Sequence, residues 1–284
     1  MLVCRRGGQL ALVTHPDHGR LAGALCEHWG SERFPAPAAR EALVYAATHH
    51  DDGWAELDWR PAFNEEAARP AHFLELPLHE TVEPYGRGVD AVYAHDLQAG
   101  ALVSMHWAGL YSTRWGIQGG EQVGHPAAAA VVAEQERRWV GALREAWGGR
   151  GVRSDFEADV WHAYEVLQSL DFISLALCLV DLERPSAAGD PVPLPATLRS
   201  VDQPPEARVI PAVRAAGGER LDLTLRLTAP GVVQIDPYPF ARETFEVGVS
   251  LRALEDRDYA SAAEAAEAFH AAPLVPRTCT ISGP

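Results

Sequence analysis

The stretch Leu170-Asp-Phe-Ile-Ser-Leu-Ala-Leu-Cys-Leu-Val180 is apolar on every side of a helix, and Asp171 is its single charge. A helix that is hydrophobic all round is normally buried, so this segment marks the middle of a helical core. The face that carries Asp171 also carries Leu167, Ser174, Leu175 and Cys178. An isolated ionised carboxylate in such a place is costly; it must be paired with an arginine or a helix end, protonated, or bound to a metal ion. Upstream, Ser154 followed by Glu157 reads as a capping box, which predicts one helix over about 154–182.

Amphipathic patterns place further helices ahead of it. His18, Leu21, Ala22 and Leu25 share one face of a helix that runs from about Pro16 to Trp29-Gly30. Leu43, Ala46, Ala47 and His50 share a face over about 37–50, with Gly53 expected as a left-handed cap. Leu102, Val103, His106, Gly109 and Leu110 do so over about 96–111, and a long Ala/Glu/Arg-rich helix follows Pro126 to Trp147-Gly148-Gly149. Residues 55–95, rich in proline, read as mostly loop.

The remaining patterns have period two. Leu2-Val3 and Leu10–Val13 flank Gly7-Gly8 as a hairpin, and the series Leu221–Leu227 and Phe245–Leu251 alternate strictly as half-buried strands. A Pro-rich stretch, 184–211, separates them from the helices, and an Ala-rich helix is predicted at about 261–271. The expected class is α+β, mainly α: a helical domain over 1–184, and a Pro-rich linker with a small β-rich part over 185–284. The N-terminal hairpin is a candidate addition to that β-rich part, which needs the helices or a second subunit to pack on.

Composition narrows the function. With 24 Lys+Arg against 39 Asp+Glu, the 284-residue chain carries a net charge of −15, the wrong sign for nucleic acid. No apolar run approaches the length of a membrane span, and no long apolar region follows the arginines near the N-terminus, so no signal peptide is expected. Cys4, Cys26, Cys178 and Cys279 are scattered, as in a reduced cytoplasmic protein. The chain has no lysine, which excludes P-loop, Schiff-base and lysine-nucleophile chemistry.

Three more polar groups sit where apolar ones belong. His18 and His106 lie on apolar helical stripes, and His50-Asp51 stand at a helix C-terminus, where carboxylates are unfavourable. Each alone could be a satisfied core residue. Together with Asp171, all would be explained by one cation, and imidazole with carboxylate suits Mn, Fe, Zn, Ni or Co better than calcium. One ion is the expectation rather than two, with His106 as an extra ligand or a pocket group. Asp52 and Asp58, just after the pair, are candidate proton acceptors for an attacking water. Trp54, Trp107 and Arg114 are candidate substrate contacts by their nearness to the motifs.

The order His18 … His50-Asp51 … Asp171, one ligand position per helix, resembles the HD-domain superfamily of metal-dependent phosphohydrolases. A nearer likeness is to an uncharacterised bacterial family. Its motifs stand here as Pro16-Asp-His18, His50-Asp-Asp-Gly-Trp54, Ser104-Met-His106, Asp171-Phe-Ile-Ser-Leu175 and Asp236-Pro-Tyr-Pro-Phe240. The superfamily likeness implies an HD-like helical bundle and hydrolysis of a phosphoester, in a nucleotide-like or other small phosphorylated metabolite, with a bridging role for Asp51 if two ions bind. Two-metal members place two further histidines between the His-Asp pair and the last Asp, and here only His106 falls on a buried helical face; His72, His79, His95 and His125 fall in loops or beside a proline. The same ligands with two irons would suit a di-iron oxygenase, and a degenerate site would leave a non-catalytic binding protein. A small-molecule substrate is expected, with no nucleic-acid or membrane partner and with homo-oligomerisation open.

Overall fold

The computed structural model describes residues 1–112, 125–183 and 209–284. The N-terminal hairpin forms β1 (Leu2–Arg6) and β2 (Gln9–Val13), with Gly7 and Gly8 both at positive φ in the turn. Helices α1 (His15–His28) and α2 (Arg40–His49) follow. Thr14 caps α1 by accepting from Asp17 N, and Pro16 occupies its first turn. Helix α5 (Leu97–Tyr111) is capped by Asp96, and α6 (Pro126–Trp147) ends on Gly148 in the left-handed region. Helix α7 (Arg153–Leu179) is buried without a break from Val166 onward.

Three local expectations are corrected. The α7 capping box does not form: the N-cap is Val152, and Glu157 bonds Arg153 at 2.7 Å. Gly53 is not a left-handed cap; it lies in a 3-10 turn, Asp52–Trp54. Its glycine is needed for contact, because a Cβ there would stand 2.9 Å from Tyr85 Cα. Residues 55–95, expected as loop, contain α3 (Ala55–Trp59), the two-stranded β3 (Phe63–Asn64) and β4 (Arg69–Pro70), and the 18-residue α4 (Leu78–His95). Pro84 inside α4 obscured a sound stripe of Leu78, Thr81, Tyr85, Val89 and Val92. It is tolerated because the hydrogen bond it forfeits is to the carbonyl of solvent-exposed Glu80.

The α+β class holds, but the β part is larger than a C-terminal appendage. It is a curled, seven-stranded mixed sheet built from both ends of the chain. The order is β1-β2-β8-β9-β7-β6-β5, with β5 (Val209–Arg214), β6 (Arg220–Ala229), β7 (Val232–Asp236), β8 (Thr244–Glu255) and β9 (Leu274–Ser282). The hairpin joins through Gln9–Leu12 against Arg252–Glu255, antiparallel. Leu223, Leu225 and Leu227 of β6 and Phe245, Val247, Val249 and Leu251 of β8 face inward, as their alternation required. They share one buried cluster with Leu25, Leu43, Leu102, Leu167 and Ile173 of the helices. Helix α8 (Ala262–Ala271), capped by Ser261, seats Phe269 in a second cluster with Leu10 and Leu12. No helix among the described residues is long and apolar enough to cross a membrane.

Candidate metal centre

Helices α1 and α2 pack closely because α1 carries glycine at the contact. A Cβ on Gly19 would lie 2.7 Å from the Thr48 carbonyl oxygen. That approach brings His18 of α1 against His50 at the end of α2, and α7 delivers Asp171 to the same point. His18 Nε2 stands 3.2 Å from His50 Nε2, from Asp51 Oδ2 and from Asp171 Oδ1. His50 Nε2 is 3.5 Å from Asp51 Oδ2 and 3.4 Å from Asp171 Oδ1. All four residues are buried.

The other ring nitrogens are spoken for. His50 Nδ1 faces the Ala47 carbonyl at 2.9 Å and must donate to it. Ser174 Oγ donates to the Asp171 carbonyl at 2.8 Å, and so accepts from His18 Nδ1, also at 2.8 Å. Each imidazole therefore has its proton fixed on the outer nitrogen and turns Nε2 inward, the arrangement that ligating histidines adopt. Two inward lone pairs and two carboxylates at these spacings repel one another unless a cation sits among them.

Electrostatics give the same answer. Burial alone would lower the His18 pKa, but hydrogen bonds with Asp171 and Asp51 outweigh it and raise it. For His50, burial is likewise overcome by the charge of Asp51 and the contact with Asp171, which lift it to about 9. Burial would raise both carboxyls, yet His50 and His18 hold Asp51, and His18 and His50 hold Asp171, well below the usual range. Among the described residues no arginine pairs with either carboxylate. Both imidazoles are thus biased toward their charged forms by the two carboxylates, and a divalent ion would answer the same two negative charges.

The donor set fits such an ion. Ligands about 2.1 Å from a metal lie about 3.0 Å apart in octahedral and about 3.4 Å apart in tetrahedral geometry, close to the observed 3.2–3.5 Å. Nitrogen and carboxylate donors together suit zinc, manganese, iron, nickel or cobalt. His106 of α5 stands outside this group. Its Nε2 is 3.9 Å from Asp171 Oδ2, the oxygen that Asp171 does not turn to His18, and burial pushes its pKa down to about 4. Ligand atoms that all lie within 4.8 Å of one another form two trios that share His50: His18, His50 and Asp51, and His50, His106 and Asp171.

The remaining candidates are dispersed. Asp52 bonds His49 at 2.7 Å on the surface side of the turn. Asp58 is buried, but its oxygens are engaged by the Met1 amine at 2.6 Å and the His15 backbone N–H at 2.5 Å. These two candidate proton acceptors are thus engaged with other partners, Asp52 in the 3-10 turn and Asp58 in α3. Trp54 lines a pocket beside the cluster, and Trp107 backs it by stacking on Tyr85 at 4.7 Å. Arg114 lies outside the described residues. His72 and His125 cap Leu74 N and Ala127 N, His95 stacks on Tyr45, and His79 is exposed.

The pocket also holds residues that no motif singles out. Among them are His15, three positions before His18 and hence on the same helical face, and Tyr85, from the stretch expected as mostly loop.

No curated protein and no solved structure matches the chain. The family described as "Protein of unknown function (DUF3891)" matches residues 1–256. By that match across most of its length, the chain belongs to the DUF3891 family.

Proposed function

We propose that this protein is a metal-dependent hydrolase of the HD type, acting on the phosphoester of a small metabolite. One divalent ion is held by His18, His50, Asp51 and Asp171. The observation that carries this reading is the set of five separations of 3.2–3.5 Å among four inward-turned ligand atoms. When bound, such an ion polarises a water molecule and neutralises charge that develops on a leaving oxygen. The chain's own part is to bind and orient. Asp51 and Asp171 supply the compensating charge, Ser174 and the Ala47 carbonyl hold the two imidazoles in register, and His106 offers a neutral imidazole to the proton of the attacking water. Trp54 excludes solvent from one wall.

Elemental analysis of protein purified without chelator, repeated on Asp171→Ala, tests the site, and phosphate release from a panel of phosphoesters tests the activity. About one equivalent of transition metal in the wild type and none in the variant is expected. A wild type with no stoichiometric ion even after reconstitution overturns the hydrolase reading. The trio of His50, His106 and Asp171 favours a second reading, with two ions and oxidative chemistry; a metal-to-protein ratio near two promotes it. Bound metal without turnover across the panel favours a non-catalytic binding protein.

A further inference from the structure

Beside the cluster lies a pocket of about 50 Å³ into which Asp51, Asp171 and His106 look. Trp54, Phe73, Leu110 and Leu175 give it apolar walls beside the hydroxyl-bearing Thr81 and Tyr111, and no arginine lines it among the described residues. Three polar atoms of the lining residues are buried and have no hydrogen-bond partner: His106 Nδ1, His15 Nε2 and Tyr85 Oη. Buried polar atoms are nearly always paired, so these orphans need an explanation, above all the two outside the cluster, His15 Nε2 and Tyr85 Oη.

Both are held rigidly. The His15 ring stacks on Trp54 with centroids 4.2 Å apart and planes 19° from parallel, and its Nδ1 lies 3.1 Å from the Met1 amine, from which it accepts when the ring proton is on Nε2. Tyr85 is stacked on Trp107 in the same manner, 19° from parallel. A side chain locked by an aromatic neighbour on one face, with its polar tip left unsatisfied, is pre-organised for a ligand.

Resting on the reading that the cluster holds an ion, we propose that the ligand is a small phosphomonoester with a compact apolar body, and not a nucleotide. Its phosphoryl oxygens are met by the ion, by Tyr85 Oη as donor and by His15 Nε2. Its body lies against Trp54, Phe73, Leu110 and Leu175. Charge argues for this. An ion balanced by Asp51 and Asp171 leaves little positive charge over, which suffices for one phosphoryl group with two hydrogen-bonding neighbours. A triphosphate would bring several charges into apolar walls without partners for them.

The test is calorimetric titration of the metal-loaded full chain with phenylphosphonate, a non-hydrolysable monoester mimic, and with adenosine triphosphate. Metal content and circular dichroism are recorded for every sample. Phenylphosphonate is expected to bind the wild type, and Tyr85→Phe and His15→Gln are each expected to weaken it about tenfold or more with bound metal unchanged. Adenosine triphosphate is expected to bind more weakly than phenylphosphonate. Tighter binding of the triphosphate, or variants that bind phenylphosphonate within about twofold of wild type, would overturn the inference. Protein that carries the ion and does not bind phenylphosphonate defeats the inference alone, whereas protein that cannot be loaded with any ion defeats the hydrolase reading as well.

Discussion

Ser174 Oγ and His18 Nδ1 are joined by a 2.8 Å hydrogen bond across 156 positions of sequence. The serine follows Asp171 by three residues, so a single turn of α7 supplies both a carboxylate to the cluster and the acceptor that fixes the facing imidazole. This explains the pattern Asp-Phe-Ile-Ser at 171–174: a carboxylate and a hydroxyl at i and i+3 lie on one helical face.

Ser174→Ala is therefore expected to fold, since it deletes one buried oxygen and adds nothing, while freeing the His18 ring to change tautomer. Metal affinity should fall about 10–100-fold, the usual cost of losing a partner behind a ligating histidine. Competition with a chelating dye measures it, and an unchanged affinity would show that Ser174 merely satisfies the Asp171 carbonyl.

Acid should destabilise the protein through two groups outside the cluster. His72 is pushed down to about 3, by burial first and then by the Met1 amine. Between its ordinary value of 6.5 and about 3 the unfolded chain binds a proton that the native state refuses, so stability falls as pH falls through that window. For Asp58, burial acts upward, but His15 and the Met1 amine bring it to about 2. Its stabilising contribution is complete above 3.8 and disappears as pH falls through about 2. Urea denaturation of wild type and His72→Asn from pH 7 to pH 3.5 checks this. The variant keeps an acceptor for Leu74 N and should show a shallower decline; parallel curves would refute the assignment.

The sheet holds the end of the helix that bears Asp171. Arg277 of β9 donates to the carbonyls of Leu177 and Val180, and Arg6 of β1 donates to that of Cys178. Cations are favourable at a helix C-terminus, where carbonyls lack partners. Arg277→Met should lower unfolding free energy by about 1–3 kcal/mol, as expected for a hydrogen bond to a charged group and the carbonyls left behind. Chemical denaturation is the measurement. A change near zero would mean water serves those carbonyls equally well.

Gly88 of α4 faces Gly53 in the turn after the His-Asp pair. A Cβ on Gly88 would stand 2.6 Å from Gly53 N and 2.7 Å from Gly53 Cα, both backbone atoms that cannot swing aside. Gly88→Ala should cost about 1–3 kcal/mol by overpacking. It should also weaken phenylphosphonate binding, because Tyr85 lies one turn away on α4. A thermal melt and the calorimetric titration read the two effects separately.

Some of the site was legible before any coordinates. His18, His50, Asp51, His106 and Asp171 each break a local rule, a polar group on an apolar stripe or an anion at a helix C-terminus, and local rules are visible in one dimension. Helix periods of 3.6 and strand periods of 2 likewise located α1, α2, α5, α6, α7 and the alternating strands β6 and β8. Helix α4 was hidden because Pro84, Gly86 and Gly88 read as loop formers, and their justification is a neighbour: exposed Glu80 for the proline, the Gly53 backbone for Gly88. Which residues are electrostatic misfits and which faces are apolar follows from chemistry and periodicity along one chain. That Asp58 is held by the Met1 amine, that His15 and Tyr85 border the pocket, and that the first hairpin joins the sheet are products of packing. Those facts depend on distances between segments far apart in sequence, which helix packing and strand pairing set and no local pattern records.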